Sequence, residues 1–293
     1  MKDFKIFRVQ SPLGVWGMQI RFQNSPKETK QLDTEALREN FLIENLMQAD
    51  AINLVYSHYD RMIVGGVVPV SKKISLPNED ELKATFFLER REIGIINVAG
   101  RGTVTADGVN YEIEKLECVY IGKGTKEVSF SSASSKEPAH FYLLSVPAHH
   151  IYPNKKMTKQ EAAPVNLGET ATSNKRTIYK YIHNDGIESC QLVMGLTVLE
   201  DGSVWNSVPP HTHTRRMETY FYFDVKEAHR VMHFMGEPQQ TRHIVMANEE
   251  AVISPPWSMH FGCGTASYGF IWGMAGENKE FSDMDPAPIV TIK

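Results

Sequence analysis

Short runs of Val, Ile, Tyr and Phe, each cut off by a Gly, Asn, Asp or Pro turn, confine this chain to an all-β architecture. MIVGGVVPV (62–70), GIINVAGRGTVTADGVNYEI (94–113), HFYLLSV (140–146) and TYFYFDV (219–225) are such runs. Ala106-Asp107-Gly108 and Ala247-Asn248-Glu249-Glu250 read as hairpin turns between them. The texture is that of a sandwich or barrel of short antiparallel strands. One helix interrupts it. Asp33 and Thr34 are N-cap residues, Glu35 sits in the first turn, and Leu37, Phe41, Leu42, Ile43, Leu46 and Met47 supply an apolar face. That pattern predicts a helix running to about Gln48.

The β texture breaks once, over 145–177, a polar stretch with three prolines and no period. We read its body, 151–177, as the connection between halves at 25–150 and 178–293. The halves look related. GVNYEIEKLECVYIGKGTKEVSF (108–130) resembles HIVMANEEAVISPPWSMHF (243–261), and LERREIGIINV (88–98) resembles THTRRMETYFYF (212–223). Under this pairing Glu127 falls where His260 falls. Residues 1–24 join neither pattern and read as a leader, with Met18 as an alternative start. The leader is interrupted by Asp3, Lys5, Arg8 and Arg21, unlike a signal peptide, so the default location is the cytoplasm.

The chemistry concentrates in PPHTHTRRMETYFYF (209–223). On a strand, His211 and His213 project to one face about 7 Å apart, close enough for one metal ion. Glu218 has the wrong parity relative to His213, so the chain must turn or bulge through Thr214–Met217 to return the carboxylate to that face. His260 follows a Pro-Pro break and completes a set of three imidazoles and one carboxylate. Such a set suits zinc, iron, manganese or nickel. Four protein ligands would also serve a purely structural zinc. The remaining histidines lack partner spacing, and His229 and His233 lie in a polar hairpin and read as solvated. Cys118, Cys190 and Cys263 are widely spaced and read as small buried side chains in a reducing compartment. A net charge of −4 without a basic run excludes nucleic acid, and no apolar stretch reaches the ~20 residues of a membrane helix.

The H-x-H-x4-E pattern with its distant His resembles the metal motif of the cupins. Longer words extend the match. VYSHYDRMIVGGVVPV (55–70), FFLERREIGIINVAGRGTV (86–104), TSNKRTIYKYI (172–182), QQTRHIVMANEEAVISPPWSMHFGCGT (239–265) and FIWGMAGENKEFSDMD (270–285) resemble 5-keto-4-deoxyuronate isomerases over roughly 25–285. The resemblance implies two cupin-like β-sandwich or barrel domains, with a metal site only in the second. It implies one zinc per chain on His211, His213, Glu218 and His260, and a homo-oligomer, a hexamer. The implied reaction interconverts 5-dehydro-4-deoxy-D-glucuronate and 3-deoxy-D-glycero-2,5-hexodiulosonate in pectin and uronate breakdown.

Such a reaction needs a base, and a metal-bound hydroxide, Glu218 and His243 are the candidates. It needs a cation for the substrate carboxylate, and Arg176, Lys180 and Arg242 are the candidates. Tyr220 and Tyr222 could hydrogen-bond substrate hydroxyls or simply fill the core. Two other functions share the motif: a metal-dependent dioxygenase and a non-catalytic sugar-binding cupin.

Overall fold

Strands laid down in the same spatial order twice organise the molecule. The computed structural model describes residues 17–280 and 282–293. The chain opens with β1 (Gln19–Arg21), α1 (Pro26–Thr29), α2 (Thr34–Phe41) and β2 (Leu42–Ile43). The first half continues through β3 (Ile52–Ser57), β4 (Ile63–Val67), β5 (Ile74–Ser75), β6 (Arg91–Asn97), β7 (Gly102–Ala106) and β8 (Val109–Ile113). It closes with β9 (Cys118–Ile121), β10 (Val128–Ser132), β11 (Phe141–Pro147) and β12 (Lys155–Met157). The second half holds β13 (Val165–Leu167), β14 (Arg176–Ile182), β15 (Val193–Leu199), β16 (Trp205–Asn206), β17 (His211–Thr212) and β18 (Arg216–Phe223). Then come β19 (Val231–Glu237), β20 (Gln240–Met246), β21 (Glu250–Ser254), β22 (Met259–Gly264), β23 (Gly269–Gly276) and β24 (Asp285–Pro286).

The first half forms a seven-stranded sheet, β1-β3-β4-β11-β6-β9-β12, over a four-stranded one, β5-β10-β7-β8. The second half forms β13-β14-β15-β23-β18-β21-β2 over β16-β22-β19-β20. The inner orders correspond strand for strand, so the all-β fold is a duplicated sandwich. Its outer edges do not follow sequence. β12, past the end of the first repeat, flanks β9, whereas β2, from the N-terminal segment, crosses over to flank β21.

Several expectations need adjustment. The helix starts where predicted, with the Asp33 side chain accepting from Ala36 N at 2.8 Å. It ends at Phe41 rather than Gln48, because Leu42 turns extended and Leu42 and Ile43 pair with Val252 and Ala251. Apolar spacing alone does not separate a helix from a short strand and buried loop. Asp107-Gly108 is a true two-residue hairpin turn, with φ of 44° and 83°. The 247–250 turn instead passes from β20 in the small sheet to β21 in the large one. The expected connection contributes β12 to one half and β13 to the other. In the expected leader, residues 1–16 lie outside the described residues, but Gln19–Arg21 pairs parallel to β3 and Met18 is buried. Cys118 is buried, while Cys190 and Cys263 are half-buried; all three are free thiols. No helix among the described residues is long and apolar enough to cross a membrane.

The two large sheets pack against each other. One apolar cluster runs from Val64, Ile96 and Leu144 of the first to Leu196, Phe221 and Ile271 of the second. Tyr142 stacks on Phe221 with ring centroids 4.4 Å apart. Each such side chain contributes roughly 1.5–3 kcal/mol by leaving water. Glu92, fully buried on β6, adds a polar clamp. Its carboxylate accepts from the backbone N–H groups of Cys190, Gln191 and Leu192 at 2.7, 3.0 and 2.9 Å, and from Tyr120 Oη at 2.8 Å.

Candidate metal centre

β18 begins with a tight turn that solves the parity problem. The Arg216 N–H donates to His213 O at 3.1 Å, so the chain reverses through Thr214 and Arg215 and re-enters the sheet with Glu218 facing inward. β17 carries His211, and β22 brings His260 across the sandwich from the small sheet. One donor atom from each of His211, His213, Glu218 and His260 lies within 4.8 Å of all the others. Glu218 Oε2 stands 3.0 Å from His213 Nε2 and 2.8 Å from His260 Nε2. His211 is partly exposed at the mouth, and the other three are buried.

Second contacts set the donor atoms. His213 Nδ1 lies 2.9 Å from Arg216 O; a proton on Nδ1 makes that hydrogen bond and leaves the Nε2 lone pair free to ligate. His260 Nδ1 is 3.3 Å from Ser258 O, while its buried Nε2 makes no hydrogen bond despite the nearby carboxylate. Burial, then the neighbouring His260, pushes the His211 imidazolium down to about 3, so His211 is a neutral donor near pH 7. Burial also opposes charge on His213, but the hydrogen bond and charge of Glu218 outweigh it and raise its pKa. Burial works against Glu218 as an anion, yet the charges and hydrogen bonds of His260 and His213 hold its carboxyl below the usual range. Imidazole lone pairs and an ionised carboxylate converging in a buried spot are a divalent-metal donor set. The unsatisfied His260 Nε2 fits that reading.

Register places further residues on the same interior face. Tyr220 lies opposite Trp272, Trp272 opposite Gly195, and Gly195 opposite Lys180. Tyr222, Phe270, Thr197 and Ile178 form the adjacent row. Arg176, two residues before Ile178, shares that face. Burial lowers the pKa of its guanidinium, and it lies close enough to Tyr220 for their charges to interact. Tyr220 Oη is 2.7 Å from Ser207 Oγ, and burial pushes both Tyr220 and Tyr222 well above the ordinary phenol value.

Two expected site residues stand elsewhere. His243 is exposed, because on β20 Ile244 and Met246 take the buried face and period-2 alternation turns His243 outward. Arg242 reaches the N-terminal segment, donating to the backbone carbonyls of Lys30 and Leu32. The reverse correction concerns His233. Expected in solvent, it is fully buried, 2.9 Å from the Tyr222 hydroxyl through Nδ1, with Nε2 unpartnered. Val231 and Met235, both apolar and two residues either side, carry the signal that would have placed it inside. The duplication also needs a new register. Counted from the hairpin tips, Val104 opposite Phe130 matches Met235 opposite His260. Phe130, not Glu127, therefore occupies the His260 position, because the loop before β10 is longer than the one before β22.

Known proteins share both the sequence and the fold. The model of the KduI/IolB family matches residues 41–288. A 4-deoxy-L-threo-5-hexosulose-uronate ketol-isomerase of Yersinia pseudotuberculosis serotype O:1b (strain IP 31758) is 56% identical over 278 residues, covering 94% of this chain and 100% of that protein. One of the same name from Shouchella clausii (strain KSM-K16) is 53% identical over 276 residues, with the same coverage. Among solved structures, an IolB-like protein from Salmonella typhimurium LT2 superposes with a TM-score of 0.68 at 16% identity, over 84% of this chain and 96% of that one. Tomato vicilin, at 9% identity and a TM-score of 0.52 over 75% of this chain and 76% of that one, shares the fold alone. The duplicated sandwich, the four converging donors and the full-length sequence match lead to one assignment: this chain belongs to the KduI/IolB family.

Proposed function

We infer that this chain is a metal-dependent ketol-isomerase that interconverts 5-dehydro-4-deoxy-D-glucuronate and 3-deoxy-D-glycero-2,5-hexodiulosonate. The observation that carries the reading is 56% identity through the whole length of a ketol-isomerase, with a complete three-His, one-Glu donor set in the fold. We take the ion to be zinc, one per chain, held by His211, His213, Glu218 and His260. When bound, it supplies Lewis-acid polarisation of the substrate carbonyl and the adjacent hydroxyl.

The chain's own residues then divide the remaining work. The reaction removes a proton from the hydroxyl-bearing carbon and returns one to the neighbouring carbonyl carbon, while the hydroxyl gives up its proton and the former carbonyl oxygen gains one. Of the candidate bases, His243 faces solvent, which leaves Glu218, an ionised carboxylate within the site, as the side-chain acceptor beside the hydroxide that the metal would supply. Tyr220 and Tyr222 stay protonated at working pH, so they serve as hydrogen-bond donors and acceptors to substrate oxygens. Arg176 and Lys180, on the interior face, are the cations for the substrate carboxylate. Arg242 turns its guanidinium to the N-terminal segment, at Lys30 O and Leu32 O, and is not assigned that role. The family resemblance supports a cytoplasmic homo-hexamer acting in pectin and uronate breakdown, with the size testable by sedimentation velocity.

The deciding experiment follows 5-dehydro-4-deoxy-D-glucuronate by NMR with metal-quantified wild type and His213→Ala. Turnover by the zinc-loaded wild type and its loss in the folded, metal-poor variant is the expected result. Equal turnover by the metal-poor variant would make the metal structural. Oxygen consumption without ketose formation would make the chain a dioxygenase.

A further inference from the structure

The Arg-Arg pair that the two halves share, Arg90-Arg91 and Arg215-Arg216, places one arginine at the same point of each. Arg91 opens β6 opposite Pro147, the last residue of β11, and Arg216 opens β18 opposite Gly276, the last residue of β23. Both are buried, Arg91 to 6% exposure and Arg216 to 0%. A buried guanidinium is costly unless a carboxylate neutralises it. Arg216 has one: Asp283, from the C-terminal segment, sits 2.6 Å from its Nη2. Arg91 has none among the described residues. Its Nε donates to Ser145 Oγ at 3.1 Å, and its Nη2 donates to the carbonyls of Arg61 and Ser145 at 2.6 and 2.8 Å. All these partners are neutral.

Arg91 instead lines a cavity of about 240 Å³ together with Tyr56, Glu81, Leu82, Ala84, Phe87 and Arg90. Its guanidinium carbon lies 5.9 Å from the centre of the Tyr56 ring. Arg90 stands at the exposed rim, held by the carbonyls of Leu82 and Lys83. A cavity with a cationic wall, an aromatic side and a carboxylate at one edge matches an organic acid that also carries hydroxyl groups. We propose that this first-half cavity is a second ligand site, separate from the metal centre, which binds a small sugar acid by pairing its carboxylate with Arg91. The ligand's carboxylate fills in the first half the role that Asp283 fills in the second. Burial lowers the Arg91 pKa to about 10, the cost that such an anion would offset. The proposal does not depend on the metal reading.

The test titrates full-length, metal-loaded protein with D-glucuronate and reads the methyl NMR signals of Leu82 and Ala84. We expect saturable shifts, absent with D-glucose, that survive in His213→Ala. Affinity should fall at least tenfold in Arg91→Gln. Ala84→Phe, which fills the cavity without touching the charge, should abolish binding and leave the fold and isomerase activity unchanged, so the test stands even where Arg91→Gln fails to fold. No shift at millimolar glucuronate, equal shifts with glucose, persistent binding in folded Ala84→Phe, or equal saturation by inorganic phosphate would each overturn the proposal.

Discussion

The two halves share a strand order and differ in what faces inward. Inside the first, Ile93, Ile95, Val104, Val119 and Phe130 form an entirely apolar cluster. Inside the second, the matching sheets carry Glu218, Tyr220, Tyr222, His233 and His260. Every buried side-chain polar atom left without a partner among the described residues belongs to the second half or to the segment before β2. Duplication has separated two demands that conflict within a single core. One copy keeps the middle of its core apolar and holds its buried polar side chains, Arg91 and Asn97, at the two ends of β6, while the other places buried polar groups at its centre, where a metal and a substrate can satisfy them. The close packing of the large sheets lets the first copy support the second.

The largest effect should come from breaking the polar interior. His260→Ala is expected to remove the metal and reduce turnover by roughly a thousandfold, several kcal/mol of transition-state stabilisation. Circular dichroism should meanwhile stay native. Next is the clamp between halves. Glu92→Ala strands three backbone N–H groups in a dry interface and should destabilise the protein by about 4 kcal/mol in chemical unfolding. Third, Phe130→His puts into the first half the residue that the second uses. Without companion ligands the imidazole should cost about 3 kcal/mol and bind no metal, checked by unfolding and by metal analysis.

The smallest effect is on pH. In metal-free protein, burial (reinforced by His260) holds His211 and His233 at about 3 in the folded state, below the ordinary 6.5. The unfolded chain therefore binds more protons between those values, and stability should fall as pH drops from about 6.5 towards 3. His213, shifted upward, acts in the opposite sense, contributing stability below pH 6.5 that is lost as pH rises through its folded value. Two groups against one should leave a net loss on acidification. His233→Gln should flatten the profile of melting temperature against pH.

How much of this was legible follows from the range of each signal. The convergence of the four donors could be read because His211 and His213 share a strand parity, Glu218 follows a turn signalled by that parity, and His260 follows a Pro-Pro break. Arg176 and Lys180 lie on β14, a strand that was not among the expected runs and that begins inside the expected connection, and only its pairing with β15 set their face. His243 and His233 were misread for one reason: a strand has two faces, and only the neighbours' polarity says which one a residue takes. Ile244 and Met246 set that phase for one, Val231 and Met235 for the other. Glu92 was invisible as a clamp because its acceptor role depends on N–H groups 98 to 100 residues away. The early helix end has the same origin, since only the distant β21 edge makes Leu42-Ile43 a strand.

That edge strand has a consequence for how the protein is made. During synthesis β2 leaves the ribosome long before β21 exists, so the sheet that holds Glu218 cannot be completed until nearly the whole chain has emerged. The exchange also ties the halves together after synthesis. A protease nick at the exposed His149-His150 pair, between β11 and β12, would leave β2 on one fragment and β12 on the other. Each fragment would then complete the other's sheet, so the nicked protein should elute as one particle and come apart only when unfolded.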